Sequence, residues 1–469
     1  MIEKNTEKSN TFADTVNTEK TDAFTGTSKG RSAVKSGDIS AETSAGISAG
    51  TFTGAFIIAF MILLFDAAFL LLPEKTFSEN ENRYLETVPV ISWESIRSGE
   101  LMDDINSYLC DHFPLRDQLM TVKTRVERLE GRDCINDIYI CSDGFYIERY
   151  KAPSNAAKTV RILKAFHDIL PENIDTRLML VPTAFWTYKD KLPADTEWPD
   201  QQAAAEYILE ETGIPAADCF ADFECAAAGL ASDGSVPGLA KDAALSAAAD
   251  TSAASESAKT GAASGSPETT TEITTEIPAD SLYYRTDHHW TTYGAYVGYR
   301  AYCRTARLDP VPLAEWTAET VTDEFRGTIY SKLNDYLIPG DSIISYTYPG
   351  DRLSVVYEDT GETSDSLYNP EYLTKKDKYS YFLDNLHSLI TITNEDAETD
   401  RELAVIKDSY ANSMIPFLSH HFKKIYVFDT RSYKLGPSAF IAAHENVTDV
   451  LILYNMNMID TDLGIGGIY

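Results

Sequence analysis

Residues 283–294 read Tyr283-Tyr284-Arg285-Thr286-Asp287-His288-His289-Trp290-Thr291-Thr292-Tyr293-Gly294, and the rest of the chain is organised around them. Two of the eight histidines stand here beside an acid, between aromatic residues and a helix start. In an extended segment, side chains two residues apart project to the same face, with Cα atoms roughly 6–7 Å apart. Asp287 can then accept a hydrogen bond from one ring nitrogen of His289 and leave the other free as a base. His288 points the opposite way in that reading, towards packing or a second role. Thr291 is suited to cap a helix that carries Tyr296, Tyr299 and Cys303 on one face. An isolated Asp-x-His pair serves equally well as a satisfied core group, so catalysis requires a nucleophile from elsewhere.

That nucleophile is offered by Ile406-Lys407-Asp408-Ser409-Tyr410-Ala411-Asn412-Ser413. Leu403–Ile406 reads as a buried strand and Ala411–Phe422 as a helix, which places Ser409 on a strand-to-helix turn. Such a turn exposes Oγ above a sheet, close to helix N-terminal amides that can hold an oxyanion. The plainer use of Asp408 or Ser409 is as a helix cap. A separate Asp-x-His element in the same chain moves catalysis ahead, because triads are defined by geometry and not by order. Ser413 is the fallback nucleophile, and Asn412 and the Ser409 amide are candidate oxyanion donors.

The flanking chain has an α/β rhythm. Ala156–Leu170 and Ala203–Thr212 read as helices; Arg177–Val181, Leu389–Ile392, Lys424–Phe428 and Asp449–Tyr454 read as strands. Residues 94–130 have helical spacing, interrupted at Asp111-His112-Phe113-Pro114, where His112 reads as structural. Residues 135–150 suggest a β-hairpin around Ser142-Asp143-Gly144. Residues 1–50 lack apolar periodicity and read as a disordered cytoplasmic tail. The 19-residue run Gly54–Leu72, broken only by Asp66, is long enough to span a bilayer, so 51–73 is expected to be an uncleaved anchor. Lys29, Arg31 and Lys35 precede it and Glu74, Glu79 and Glu81 follow, which puts residues 74–469 outside the membrane. Residues 226–280 are rich in Ala, Ser, Thr and Gly and read as a low-complexity insertion within one domain.

Composition sets outer limits. With 72 acids against 40 bases the net charge is −32, which argues against a nucleic-acid partner and suits neutral or lightly charged glycans. The six cysteines contain no C-x-x-C pair, so zinc-finger spacing is absent. Disulfides and buried thiols are both open to them.

The full string around Asp287-His288-His289-Trp290 resembles the motif that names the DHHW family of bacterial proteins, relatives of the alginate O-acetyltransferases. FSENENRYLE at 77–86 and Phe325-Arg326-Gly327-Thr328-Ile329-Tyr330-Ser331-Lys332 resemble further blocks of that family. Lys407-Asp408-Ser409 is similar to the Gly-Asp-Ser block of SGNH hydrolases, with Lys in place of Gly. The resemblance spans about 75–469 apart from the insertion. It implies an α/β, SGNH hydrolase-like three-layer α/β/α domain with the permuted order Asp…His…Ser, plus the N-terminal transmembrane helix. It also implies a Ser409-His289-Asp287 triad that passes an acetyl group to a polysaccharide, or to water, without a cofactor. Asn412, Arg326, Gly327, His288 and Trp290 are the candidate oxyanion or substrate-binding residues. The donor is expected to be a membrane-bound O-acyltransferase partner, since an exported domain has no ready acetyl-CoA. A non-catalytic glycan-binding scaffold is the alternative. A zinc site at His288, His289 and an acid ranks last, because adjacent histidines converge poorly on one ion.

Overall fold

The computed structural model describes residues 49–71, 75–78, 83–229, 281–461 and 463–468. The expected tail and low-complexity insertion therefore lie almost wholly outside the described residues. The chain divides into two compact units, Met1–Leu64 and Phe65–Tyr469. In the first, the described residues are the opening of an apolar helix, α1 (Ala49–Leu71). Among the described residues no helix is long and apolar enough to cross a membrane. The described part of α1 stops at Leu71, short of the expected end of the anchor at residue 73.

The second unit is built on one mixed sheet of seven strands. In chain order these are β1 (Asp175–Val181), β2 (Leu353–Tyr357), β3 (Glu362–Ser364), β4 (Leu389–Asn394), β5 (Glu402–Lys407), β6 (Lys424–Phe428) and β7 (Val447–Asn455). Their spatial order is β3-β2-β4-β6-β5-β7-β1. The pairs β6–β5, β5–β7 and β7–β1 are parallel, whereas β4–β6, β4–β2 and β2–β3 are antiparallel. Parallel strands are covered on both faces, so they read as unbroken apolar runs. Leu403–Ile406 and Val450–Tyr454 are such runs, and all of their residues are fully buried. Strand β5 lies between β6 and β7, so its carboxyl end opens at the middle of the parallel half, where α/β sheets place ligands.

Three helices pack around this half: α2 (Ala156–Ile169), α3 (Gln201–Thr212) and α4 (Thr292–Ala306). Helices α2 and α3 pack on each other, and α4 packs against β1. The Thr291 hydroxyl caps α4 by accepting from the Gly294 amide at 3.2 Å, as its sequence indicated. Tyr296, Tyr299 and Cys303 are all buried on α4. Gly298 admits the Trp290 ring: a Cβ there would lie 2.8 Å from Cζ3.

Most expected elements appear, with shifted ends. Residues 94–130 form helices Trp93–Ser98, Glu100–Asp111 and Arg116–Leu129, and the hairpin is Ile138–Ile140 against Tyr146–Glu148. His112 is tied to the carbonyls of Tyr108 and Lys75, a structural role. The single helix expected over Ala411–Phe422 is instead three short pieces: a 3-10 turn Ser409–Ser413, an α-turn Ile415–Leu418 and a 3-10 turn Ser419–His421. Pro416 accounts for the break, because proline lacks an N–H and is tolerated only in a first turn. All six cysteines are free thiols. Burial pushes Cys303 up to about 12 and Cys219 well above the ordinary thiol value, which leaves both unreactive.

Candidate active site

Asp287, His289 and Ser409 form one hydrogen-bonded line. The His289 Nδ1–H donates to Asp287 Oδ1 at 2.5 Å, and the Ser409 hydroxyl lies 2.7 Å from Nε2. With Nδ1 committed to a carboxylate, Nε2 is left to accept the serine proton. The segment 283–290 is a bent loop closed by an antiparallel bridge between Tyr283 and Trp290, and not the extended strand expected from i, i+2 spacing. Asp287 and His289 meet through a local turn, in which Asp287 Oδ1 also accepts the His289 amide at 3.0 Å.

The second Asp287 oxygen accepts from the Thr328 amide at 2.7 Å and its hydroxyl at 3.1 Å. Gly327 makes this approach possible, since a Cβ there would lie 2.0 Å from Asp287 Oδ2. Burial raises the Asp287 carboxyl. The adjacent His289 and His288, with these hydrogen bonds, outweigh it and hold the group far below the usual carboxylate range. His289 is pushed down to about 4, by burial first and then by His288, with Asp287 pulling the other way. A neutral imidazole at ordinary pH is the form a general base needs.

Tyr379 fixes the imidazole from the side. Its ring stacks on His289 with centroids 3.7 Å apart and planes 7° apart. Its hydroxyl donates to the Ser409 carbonyl at 3.1 Å and lies 3.1 Å from Ser413 Oγ. The turn carrying Ser409 is held from below by Asp408, which accepts from the Tyr410 amide at 2.9 Å and from the Asn455 amide and side chain at 2.7 Å each. Asp408 adopts φ −96° and ψ −171°, extended backbone open to any residue. Lys407 sits in β5 just before it, so no glycine is required there. Its buried ammonium lies 3.5 Å from Asp429.

Ser409 opens into a cavity of about 230 Å³ whose wall includes Asp287, His289, Arg326, Gly327, Asn412 and Arg431. His288 and Thr328 form a wall shared with a second cavity of about 200 Å³. His288 Nδ1 donates to the Thr328 hydroxyl at 2.6 Å. The buried Asn412 Oδ1 has no hydrogen-bond partner among the described residues. The fallback Ser413 is fully buried beneath Trp290, and His289 reaches Ser409 instead. Trp290, expected near substrate, is also fully buried and outside the cavity wall. Its Nε1–H donates to the Tyr410 carbonyl at 2.8 Å and to Ser413 Oγ at 2.9 Å, which ties the motif loop to the serine turn. Ligand atoms of Asp287, His288 and His289 lie within 4.8 Å of one another, but both ring nitrogens of His289 are already engaged in the line described above.

The sequence over residues 271–428 matches the family described as DHHW protein. This region belongs to the DHHW family. A solved DHHW family protein from Eubacterium siraeum shares the fold at 20% identity and a TM-score of 0.53, over 71% of this chain and 94% of that one. Bacillus cereus PatB1, solved with a sulfonyl adduct, is similar at 18% identity and a TM-score of 0.52, over 71% of this chain and 98% of that one. No curated protein matches the sequence. The four residues that name the DHHW family are the loop residues Asp287 to Trp290, three of them at or beside the line to Ser409.

Sequence reasoning missed Tyr379, Asn455 and the part played by Thr328. Tyr379 comes from a short 3-10 turn with no periodic signal, and Asn455 from the end of β7. Thr328 stood next to the flagged Gly327. Two outcomes follow from this geometry. Gly327→Ala displaces Asp287, and a misplacement of this order lowers acyl-ester turnover about 100-fold, with the circular dichroism spectrum retained. The rate of serine acylation should stay flat as pH falls from 7 and halve only near pH 4, where His289 protonates. An ordinary histidine would halve it near about 6.5, so a stopped-flow pH profile separates the two.

Proposed function

We propose that this chain is an O-acetyltransferase, or the closely related acetylesterase, that acts on polysaccharide outside the cell and is held at the membrane by residues 51–73. We read its core as the SGNH-like three-layer α/β/α arrangement, with the motif order permuted. The observation that supports this best is the unbroken line Asp287–His289–Ser409, which ends at a hydroxyl facing a cavity.

Ser409 Oγ attacks the acyl carbonyl of the donor while His289 Nε2 takes its proton. The tetrahedral oxyanion is met by the Ser409 amide, which opens a helical turn and so has no intrahelical partner. Asn412 is the candidate second donor, through its Nδ2–H, since its side chain stands in the same wall. Collapse expels the donor alcohol, which leaves with the proton from His289, and acetyl-Ser409 remains. A sugar hydroxyl then loses its proton to Nε2 and bonds to the acetyl carbon. The carbon–Oγ bond breaks and Oγ recovers the proton. Water in place of sugar makes the same cycle a hydrolysis. A membrane-bound O-acyltransferase is the partner we assign as acetyl source.

PatB1, a fold neighbour solved with a sulfonyl adduct, suggests the test. An arylsulfonyl fluoride should add one sulfonyl group to the wild-type chain by intact mass and none to Ser409→Ala. An activated acetyl ester should add one acetyl group under the same contrast, and a chelator should leave both unchanged. Absence of both adducts from the wild type would favour a glycan-binding scaffold.

A further inference from the structure

The net charge of −32 suits a neutral substrate, yet the wall over Ser409 carries three cations. Arg326, Lys376 and Arg431 reach the cavity from three separate loops. Each is held in place. Arg431 Nε donates to Asp429 Oδ1 at 2.8 Å and a second nitrogen to Oδ2 at 2.5 Å. Lys376 Nζ donates to the Arg326 carbonyl at 2.8 Å and lies 4.3 Å from the centre of the Tyr330 ring. Arg326 is balanced by Glu324 at 2.5 Å.

The negative side is weaker. Asp287 is committed to His289 and Thr328, and Asp377 accepts from Ser380 Oγ at 2.8 Å. Behind Arg431, the fully buried Asp429 is shared with Lys407, so two cations stand on one carboxylate. Positive potential is thereby directed into a recess of a strongly acidic protein. Salt confines that field to about 8 Å at physiological strength, so it selects at the site and does not steer from afar.

We propose that the acceptor presented to acetyl-Ser409 is an anionic glycan, with its carboxylate or phosphate held by Arg431 and Lys376 and its hydroxyl facing His289 Nε2. This rests on the acyl-transfer reading above. In the transfer step the anionic group takes no part in bond changes; it positions the neighbouring hydroxyl.

Binding is measured on the full chain carrying Ser409→Ala, which cannot be acylated at that position, so acceptor recognition is read apart from chemistry. Trigalacturonate is compared with maltotriose, and ribitol 5-phosphate with ribitol. At least one charged probe should bind tenfold or more tighter than its neutral match, and the pair that shows it identifies carboxylate or phosphate as the source. Arg431→Gln and Lys376→Gln should each cut that preference at least fivefold. Arg431→Lys should restore most of it, and Arg352→Gln, an exposed cation outside the wall, should leave it unchanged. Equal binding within both pairs, no binding of any probe, or a preference that survives both glutamine variants would overturn the proposal. Failure of the acyl-transfer reading shows separately, as absence of acetyl-Ser409 in the wild type.

Discussion

A carboxylate stripped of water sits at the centre of this molecule. Asp287 is 3% exposed, and it persists as an anion because its two oxygens receive two bonds from His289 and two from Thr328. An unpaired buried charge costs several kcal/mol, so the loop and the 325–328 block are obliged to fold onto each other. The posture of His289 follows from that obligation. It sets the tautomer of His289, the direction of Nε2 and the absence of a side chain at Gly327.

The serine end is fixed by a different principle. Ser409 rides on the end of a strand buried on both sides, and its turn is stapled to β7 through Asp408 and to the motif loop through Trp290. The two halves of the site therefore come from unlike parts: a loop shaped by polar contacts, and the end of a central strand shaped by apolar packing. Aromatic side chains join them, with Tyr379 stacked on His289 and bonded to the Ser409 carbonyl.

How much of this could be read in advance differs between the parts. The strands β1, β5, β6 and β7 are apolar runs whose burial leaves a direct mark on composition, and they were legible to within a residue or two. Asp287, His289 and Ser409 were legible through chemistry, because few residue types can form such a line. The route by which Asp287 meets His289 was misread, since i, i+2 proximity arises from a strand or from a tight turn alike. Trp290, counted among the candidate oxyanion or substrate-binding residues, was misplaced because its burial takes its meaning from contacts remote in sequence: its N–H holds the serine turn. Lys376 and Arg431 carried no signal, because a charged residue in a loop takes its meaning only from what stands opposite.

The closing strand has a consequence for how the protein comes into being. Among the described strands, β7 is the one that pairs with β1 along its length, and it supplies Leu453, whose carbonyl receives the Asp408 amide, as well as Asn455. Asp175–Val181 is thus paired with Asp449–Asn455, a segment far along the chain. Pairing across such sequence separation comes late and slowly in folding. Until β7 is in place, Asp408 lacks the Leu453 and Asn455 partners that hold the Ser409 turn. Assembly of the serine turn is in this way tied to closure of the whole sheet.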